Sequence, residues 1–211
     1  MKIASIRFRQ LWIVVTSNGR VPSRSLRPLR FTSVPVVPSQ THATPPKIII
    51  VMGVSGSGKT EIGRKLAQEL GAEFFDADDF HSPGNVALLR QGIPLDDEKR
   101  GPWLDRLATL IEGAIRARQH MVLACSALTR SYRTRLGVGR SQVRLVHLDG
   151  EESLLRERLE QRTGHFMPAS LLASQCALLE RPTDDEQPIR VDISLPPDAI
   201  IRQIMVATGY R

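Results

Sequence analysis

One octapeptide constrains this chain more than any other stretch: Gly53-Val54-Ser55-Gly56-Ser57-Gly58-Lys59-Thr60. Before it, Lys47 to Met52 is a short apolar run of strand length, and after it Glu61 to Leu70 places Ile62, Leu66 and Leu70 at helical spacing. A glycine-rich loop between strand and helix, closing in Gly-Lys-Thr, fits the phosphate-binding pattern G-x-x-x-x-G-K-[ST]. Its glycines let the backbone turn so that successive N–H groups face inward at a helix N-terminus, which makes a nest for an anion. Lys59 can then reach the β- and γ-phosphates of ATP, and the Thr60 hydroxyl can hold the Mg²⁺ that travels with the nucleotide.

Charge and composition narrow the class further. The chain has 211 residues, enough for one core-forming domain with a short appendage, and only two cysteines, Cys125 and Cys176. They have neither metal-site nor redox spacing, which points to a reducing, cytoplasmic setting. No apolar run approaches the roughly 20 residues of a membrane span. The formal net charge of +7 misleads: residues 1–47 hold eight of the 29 Lys and Arg and none of the 22 Asp and Glu, leaving 21 basic and 22 acidic groups from Ile48 onward. The core therefore gives no sign of nucleic-acid binding.

Residues 1–46 form a basic extension rich in Arg, Ser and Pro. Three readings stand: a mitochondrial-type presequence, a disordered tail, or sequence upstream of the true start. The prolines after Arg20 argue against a continuous amphipathic helix and favour the last two readings. Little fixed structure is expected before Pro46. A domain at 47–211 follows, with further strands at 72–76, 121–125, 143–148 and 189–193. Helices are expected at 85–91, from Pro102 onward, and at 131–136, 151–161, 169–179 and 197–207. Strands alternating with helices mean an α/β fold with a parallel five-stranded sheet.

In such a sheet, ligands bind outside the carboxyl ends of the strands. Three groups sit there: the glycine-rich loop, the acidic stretch Asp76-Ala77-Asp78-Asp79-Phe80-His81, and Ser126 to Arg133. Asp76 and Asp78 are two apart, so in an extended segment they share a face. Phosphoryl transfer to an alcohol needs one group on the acceptor hydroxyl and others on the metal. Asp78 is assigned to the hydroxyl and Asp76 to the Mg²⁺ shell. Arg130 and Arg133 are candidates to grip an acidic substrate with guanidinium forks, and His81 to hydrogen-bond a polyol. Arg158 and Arg162 flank a break between helices that reads as a helical lid, able to exclude water and stabilise the transferring charge. Arg156 instead pairs with Glu152 at helical spacing. No Asp follows the third strand and no Asn-Lys-x-Asp motif occurs, so a small-molecule kinase fits better than a GTPase switch or a motor ATPase.

With these motifs in view the chain resembles the bacterial-type gluconokinases, from about Ile48 to Ala207. The resemblance rests on the loop with Val51-Met52 before it, Asp78-Asp79-Phe80-His81, Gly92-Ile93-Pro94-Leu95-Asp96-Asp97 with Pro102-Trp103-Leu104, Cys125-Ser126-Ala127-Leu128 with Tyr132-Arg133, and Arg162-Thr163-Gly164-His165-Phe166-Met167-Pro168. It implies a P-loop three-layer sandwich like shikimate and adenylate kinases and transfer from ATP to the 6-hydroxyl of D-gluconate. It also implies a role for His165 at the substrate and, often, a homodimer. Leu88 stands where a Lys is common. A kinase for another hydroxy acid such as shikimate, or a regulatory ATP-binding module, are the competing readings. Cys125-Ser126-Ala127 in place of a glycine triplet argues against the former.

Overall fold

The computed structural model describes residues 48–161 and 170–209. In chain order these form β1 (Ile48–Met52), α1 (Lys59–Leu70), β2 (Glu73–Asp76), α2 (Pro83–Arg90), α3 (Asp97–Arg116), β3 (Met121–Ala124), α4 (Arg130–Arg135), β4 (Val143–Asp149), α5 (Glu152–Glu160), α6 (Ser170–Leu178), β5 (Ile189–Asp192) and α7 (Pro197–Thr208). Short 3₁₀ turns occupy Ala77–Phe80 and Asp184–Glu186. The five strands make one parallel sheet in the order β2-β3-β1-β4-β5. No helix among the described residues is long and apolar enough to cross a membrane.

The central strand explains the layering. All five residues of β1 are buried, so it reads as a continuous apolar run rather than an alternating one, as a strand covered on both faces must. Its side chains still alternate. Ile48, Ile50 and Met52 pack with Trp103, Leu104, Leu107 and Ile111 of α3, while Ile49 and Val51 pack with Ile62 and Leu66 of α1 and Ile200 and Ile204 of α7. Each such side chain contributes about 1.5–3 kcal/mol over its exposed state. The register matters for function. Asp76 lies level with Ala124, and Ala124 level with Val51, so the chain leaves β2, β3 and β1 at one rim.

Two local expectations are corrected here. α3 begins at Asp97, not at Pro102: Asp96 caps it by accepting the Lys99 N–H at 2.9 Å, and Pro102 sits inside the helix. A side-chain cap at the first turn fixes the start more firmly than a proline, which tolerates a first turn without requiring it. The acidic stretch after β2 is not extended either. Asp76 accepts the Asp78 N–H at 3.2 Å and caps a 3₁₀ turn, so the argument that Asp76 and Asp78 share a strand face does not hold. Both reach the same cavity by a tight turn instead.

A buried cation ties the turn after β3 to the segment before β5. Arg133 is 1% exposed. Its Nε and Nη2 donate to the two Glu186 carboxylate oxygens at 2.6 and 2.9 Å, and its Nη1 donates to the carbonyls of Ala127, Leu128 and Glu180 at 3.2, 3.1 and 2.8 Å. Removing the guanidinium leaves Glu186 and three carbonyls without their donor. Arg133→Met is therefore expected to lower unfolding free energy by about 3–5 kcal/mol in urea titrations. A loss below about 1 kcal/mol, the range of an exposed pair, would show that the network is solvated in solution.

Candidate active site

The glycine-rich loop leaves β1 and enters α1 with no side chain capping the helix; Gly58 takes the cap position in the left-handed region. Gly56 has φ +84°, and a Cβ there would lie 2.9 Å from the Leu155 carbonyl oxygen, so both backbone and space demand glycine. Residues Ser55 to Thr60 line a cavity of about 650 Å³, while Gly53 and Val54 form the loop's entry from the strand. Lys59 folds back so that its Nζ donates to the Val54 carbonyl at 3.1 Å. The Ser55 N–H donates to Oε1 of Gln175 on α6 at 2.7 Å.

Two carboxylates line the same cavity. The Thr60 hydroxyl donates to Asp76 Oδ2 at 2.7 Å, joining the loop to the end of β2. Asp78 lines the same cavity and is half-buried. Burial pushes its carboxyl up to about 6, against the pull of Lys59 and with a further push from Asp76 and Asp79. A carboxylate poised near neutral pH beside a phosphate loop is suited to accept a proton from an alcohol.

His81, three residues on, stacks on the Trp103 ring with centroids 4.5 Å apart and planes at 15°. Trp103 in turn donates its indole N–H to the Ala77 carbonyl at 2.7 Å, which fixes α3 against the acidic turn. Burial, with Arg106 and Arg100 nearby, lowers the His81 imidazole to about 4, so it is neutral in the ordinary working range. Its Nδ1 is buried with no partner among the described residues.

The arginines distribute otherwise than expected. Arg158 does line the cavity, and its Nη2 donates to the Ile193 carbonyl at 2.7 Å, at the end of β5. Arg130 and Arg133 do not line it. Arg130 is exposed and ion-paired with Asp185, and Arg133 is committed to the Glu186 network. The turn after β3 does reach the cavity through Ser126 and Leu128, but the two arginines beyond it are held by the 180–186 segment, where Glu180 also accepts the Arg130 N–H at 2.6 Å. Arg162 and His165 lie outside the described residues. Arg156 pairs with Glu152 at 2.8 Å, as its spacing indicates.

Sequence reasoning missed Arg100, Tyr132 and Gln175, all on the cavity wall. A helix starting at Pro102 leaves Arg100 outside it, whereas α3 includes it. Beginning α3 at Asp97 puts Asp97, Arg100, Trp103, Leu104 and Leu107 at helical spacing, and that signal was available. Gln175 carries no such signal: only the fold brings α6 to the loop.

Comparison with known proteins follows the geometry. A family described as an AAA domain matches residues 48–182. The chain is 44% identical over 160 residues to the gluconokinase of Gluconobacter oxydans (strain 621H), spanning 76% of this chain and 90% of that protein. The crystal structure of a gluconokinase from Sinorhizobium meliloti 1021 is 41% identical with a TM-score of 0.69, covering 78% of this chain and 93% of that one. Shikimate kinase from Aquifex aeolicus, at 16% identity and TM-score 0.50 over 77% of this chain and 96% of its own, shares the fold alone. With a phosphate loop on the cavity and identity above 40% across most of a relative's length, the chain belongs to the gluconokinase family.

Proposed function

We propose that the chain transfers the γ-phosphoryl group of ATP to the 6-hydroxyl of D-gluconate, giving 6-phosphogluconate and ADP. The observation that carries the reading is geometric: Asp78 and Asp76 line one cavity with the phosphate loop, and Asp76 is hydrogen-bonded to Thr60. The loop amides and Lys59 hold the triphosphate in place. Asp78, ionised above pH 6, orients the acceptor hydroxyl and takes its proton as oxygen bonds to phosphorus and the bridge to ADP breaks. Arg158, together with Arg162 from the segment that follows α5, is assigned to charge on the transferring group, and His81 and His165 to substrate hydroxyls.

Thr60 and Asp76 fit a Mg²⁺ site: a hydroxyl and a carboxylate oxygen 2.7 Å apart on the loop side of the cavity are hard oxygen donors. Among the described residues no group of three or more His, Cys, Asp or Glu could hold a metal by itself. The small protein contribution suits an ion that keeps waters and phosphate oxygens as its other ligands. When bound, Mg²⁺ neutralises charge on the phosphates. The kinase domain is assigned to residues 47–211 and residues 1–46 to an extension outside it.

The test is an ADP-release assay with ATP and Mg²⁺ against a panel of sugar acids and shikimate. Turnover with D-gluconate at a kcat/KM at least about tenfold above every other acid is expected, a margin of about 1.4 kcal/mol in transition-state binding. Preference for shikimate, or ATP hydrolysis indifferent to any acceptor, would overturn the reading.

A further inference from the structure

An acidic acceptor needs a cation in the acceptor half of the cavity, and the two arginines nominated from the sequence are occupied elsewhere. Among the described residues the cations lining the cavity are Lys59, Arg100 and Arg158. Lys59 belongs to the phosphate loop, and Arg158 is anchored to the end of β5. Arg100 stands on the other side, one turn of α3 before Trp103 and near enough to His81 to disfavour its charged form.

The surroundings of Arg100 differ from those of Arg133 in the way a binding cation should differ from a structural one. Arg133 has every part of its guanidinium committed to protein oxygens. Among the described residues the Arg100 guanidinium makes one hydrogen bond, from Nη1 to the Tyr132 hydroxyl at 3.1 Å, and that hydroxyl donates to Asp97. Its Nε and Nη2 make no hydrogen bond among the described residues. Its counter-charge, Asp97, lies 3.7 Å away with its side chain 84% exposed, whereas the Arg100 side chain is only 19% exposed. The guanidinium also lies 5.7 Å from the centre of the Tyr132 ring, which restricts its swing. The result is a largely buried, oriented cation whose remaining N–H groups meet no acceptor among the described residues, in the cavity that Asp78 and His81 also line.

We infer that Arg100 holds the carboxylate of the acceptor and so selects an acid over a neutral polyol, with Tyr132 and Asp97 fixing the guanidinium plane. This rests on the gluconate reading above. A planar fork receives a carboxylate by two parallel hydrogen bonds, which an ammonium cannot do. Neutral His81 can hydrogen-bond a hydroxyl but cannot supply the charge, so the selectivity for an acid falls on Arg100.

The test compares D-gluconate with D-gluconamide, which keeps the carbon chain and hydroxyls but not the charge. For Arg100→Gln, kcat/KM for gluconate is expected to fall about 100-fold, as for other truncated charge-assisted contacts. KM for ATP should stay put, and gluconamide turnover should change less than about threefold, since it never used the charge. The ratio of the two substrates thus collapses. Arg100→Lys, which keeps charge and helix propensity, guards against a folding defect: it should lie between wild type and Arg100→Gln for gluconate and leave gluconamide unaffected. Equal losses on both substrates would mean a merely structural role, and no loss on either would place the carboxylate elsewhere; either result overturns the inference. If wild type fails to phosphorylate gluconate at all, the proposed function falls, a result distinct from both.

Discussion

Lys59→Ala should lower kcat by about 10³-fold or more while the protein still folds. The expectation follows from where the lysine sits. It is the first residue of α1, its ammonium lies over the loop at the Val54 carbonyl, and the same loop presents backbone amides to the cavity. Negative charge on the γ-phosphoryl oxygens shifts during transfer, and a fixed cation in a site shielded from water stabilises that shift without reorganising. Removing one positioned donor of this kind costs about 10²–10³ in rate, and a full charge at a phosphoryl group costs more. The side chain is only half buried, so its loss opens no sealed cavity. A thermal melt within a few degrees of wild type, beside a collapsed ADP-release rate, is the expected pair of results. Near-normal kcat in Lys59→Ala would remove the phosphate loop from the mechanism.

Asp78→Asn comes next in size, with an expected drop in kcat of about 10²-fold or more and little change in KM for ATP. Asparagine keeps the shape and one acceptor but cannot take the proton. The raised carboxyl adds a pH signature. Activity of the wild type should climb about tenfold per pH unit below 6 and level off above it, because the base must be ionised. His81, lowered to about 4, adds no second step between pH 5 and 9. The same shift has a cost in stability, and its sign is definite. A carboxyl raised in the folded state binds its proton more tightly there than in the unfolded chain. Stability therefore falls as pH rises from the ordinary carboxylate range through 6, and stays lower above it. Asp78→Asn should accordingly be more stable than wild type at pH 8, by at most about 3 kcal/mol, and equal to it near pH 3. Asp76→Asn should behave differently: a higher Mg²⁺ requirement, partly relieved by excess Mg²⁺. Rescue of the Asp78 variant but not the Asp76 variant would reverse the two roles. A rate change under about threefold in both would make the acidic turn a solvated loop, well short of a positioned base.

Much of this was legible in the residues because it is written in local chemistry. The loop follows from its glycines and Lys59-Thr60, and the parallel sheet from apolar runs alternating with helical spacing. Two things were harder. Whether an arginine faces a cavity or a carboxylate on another segment depends on contacts 50 residues away, as with Arg133 and Glu186, and no spacing within the chain reveals that. The start of α3 was readable in Asp96, a good cap three residues before Lys99, but Pro102 offered a competing start, and the choice decided whether Arg100 was seen as part of a helix face. The shared rim of Asp76 and the phosphate loop was inferred by a wrong route: strand alternation does not continue past Asp76, and the capped turn brings Asp78 to the same place.

The contact between Ser55 and Gln175 links nucleotide and α6 by competition. One amide hydrogen serves one strong acceptor at a time. While the glutamine oxygen holds it, α6 is tied to the loop at this point; a phosphate oxygen that takes it removes that tie, while Leu171 and Leu172, both 2% exposed, keep α6 in the core. Rivalry for a single donor is symmetrical in free energy: whatever factor the glutamine subtracts from nucleotide affinity, bound nucleotide subtracts from the grip on the helix. Nucleotide binding is thus an exchange of partners at one donor, felt at α6 without the helix leaving the core.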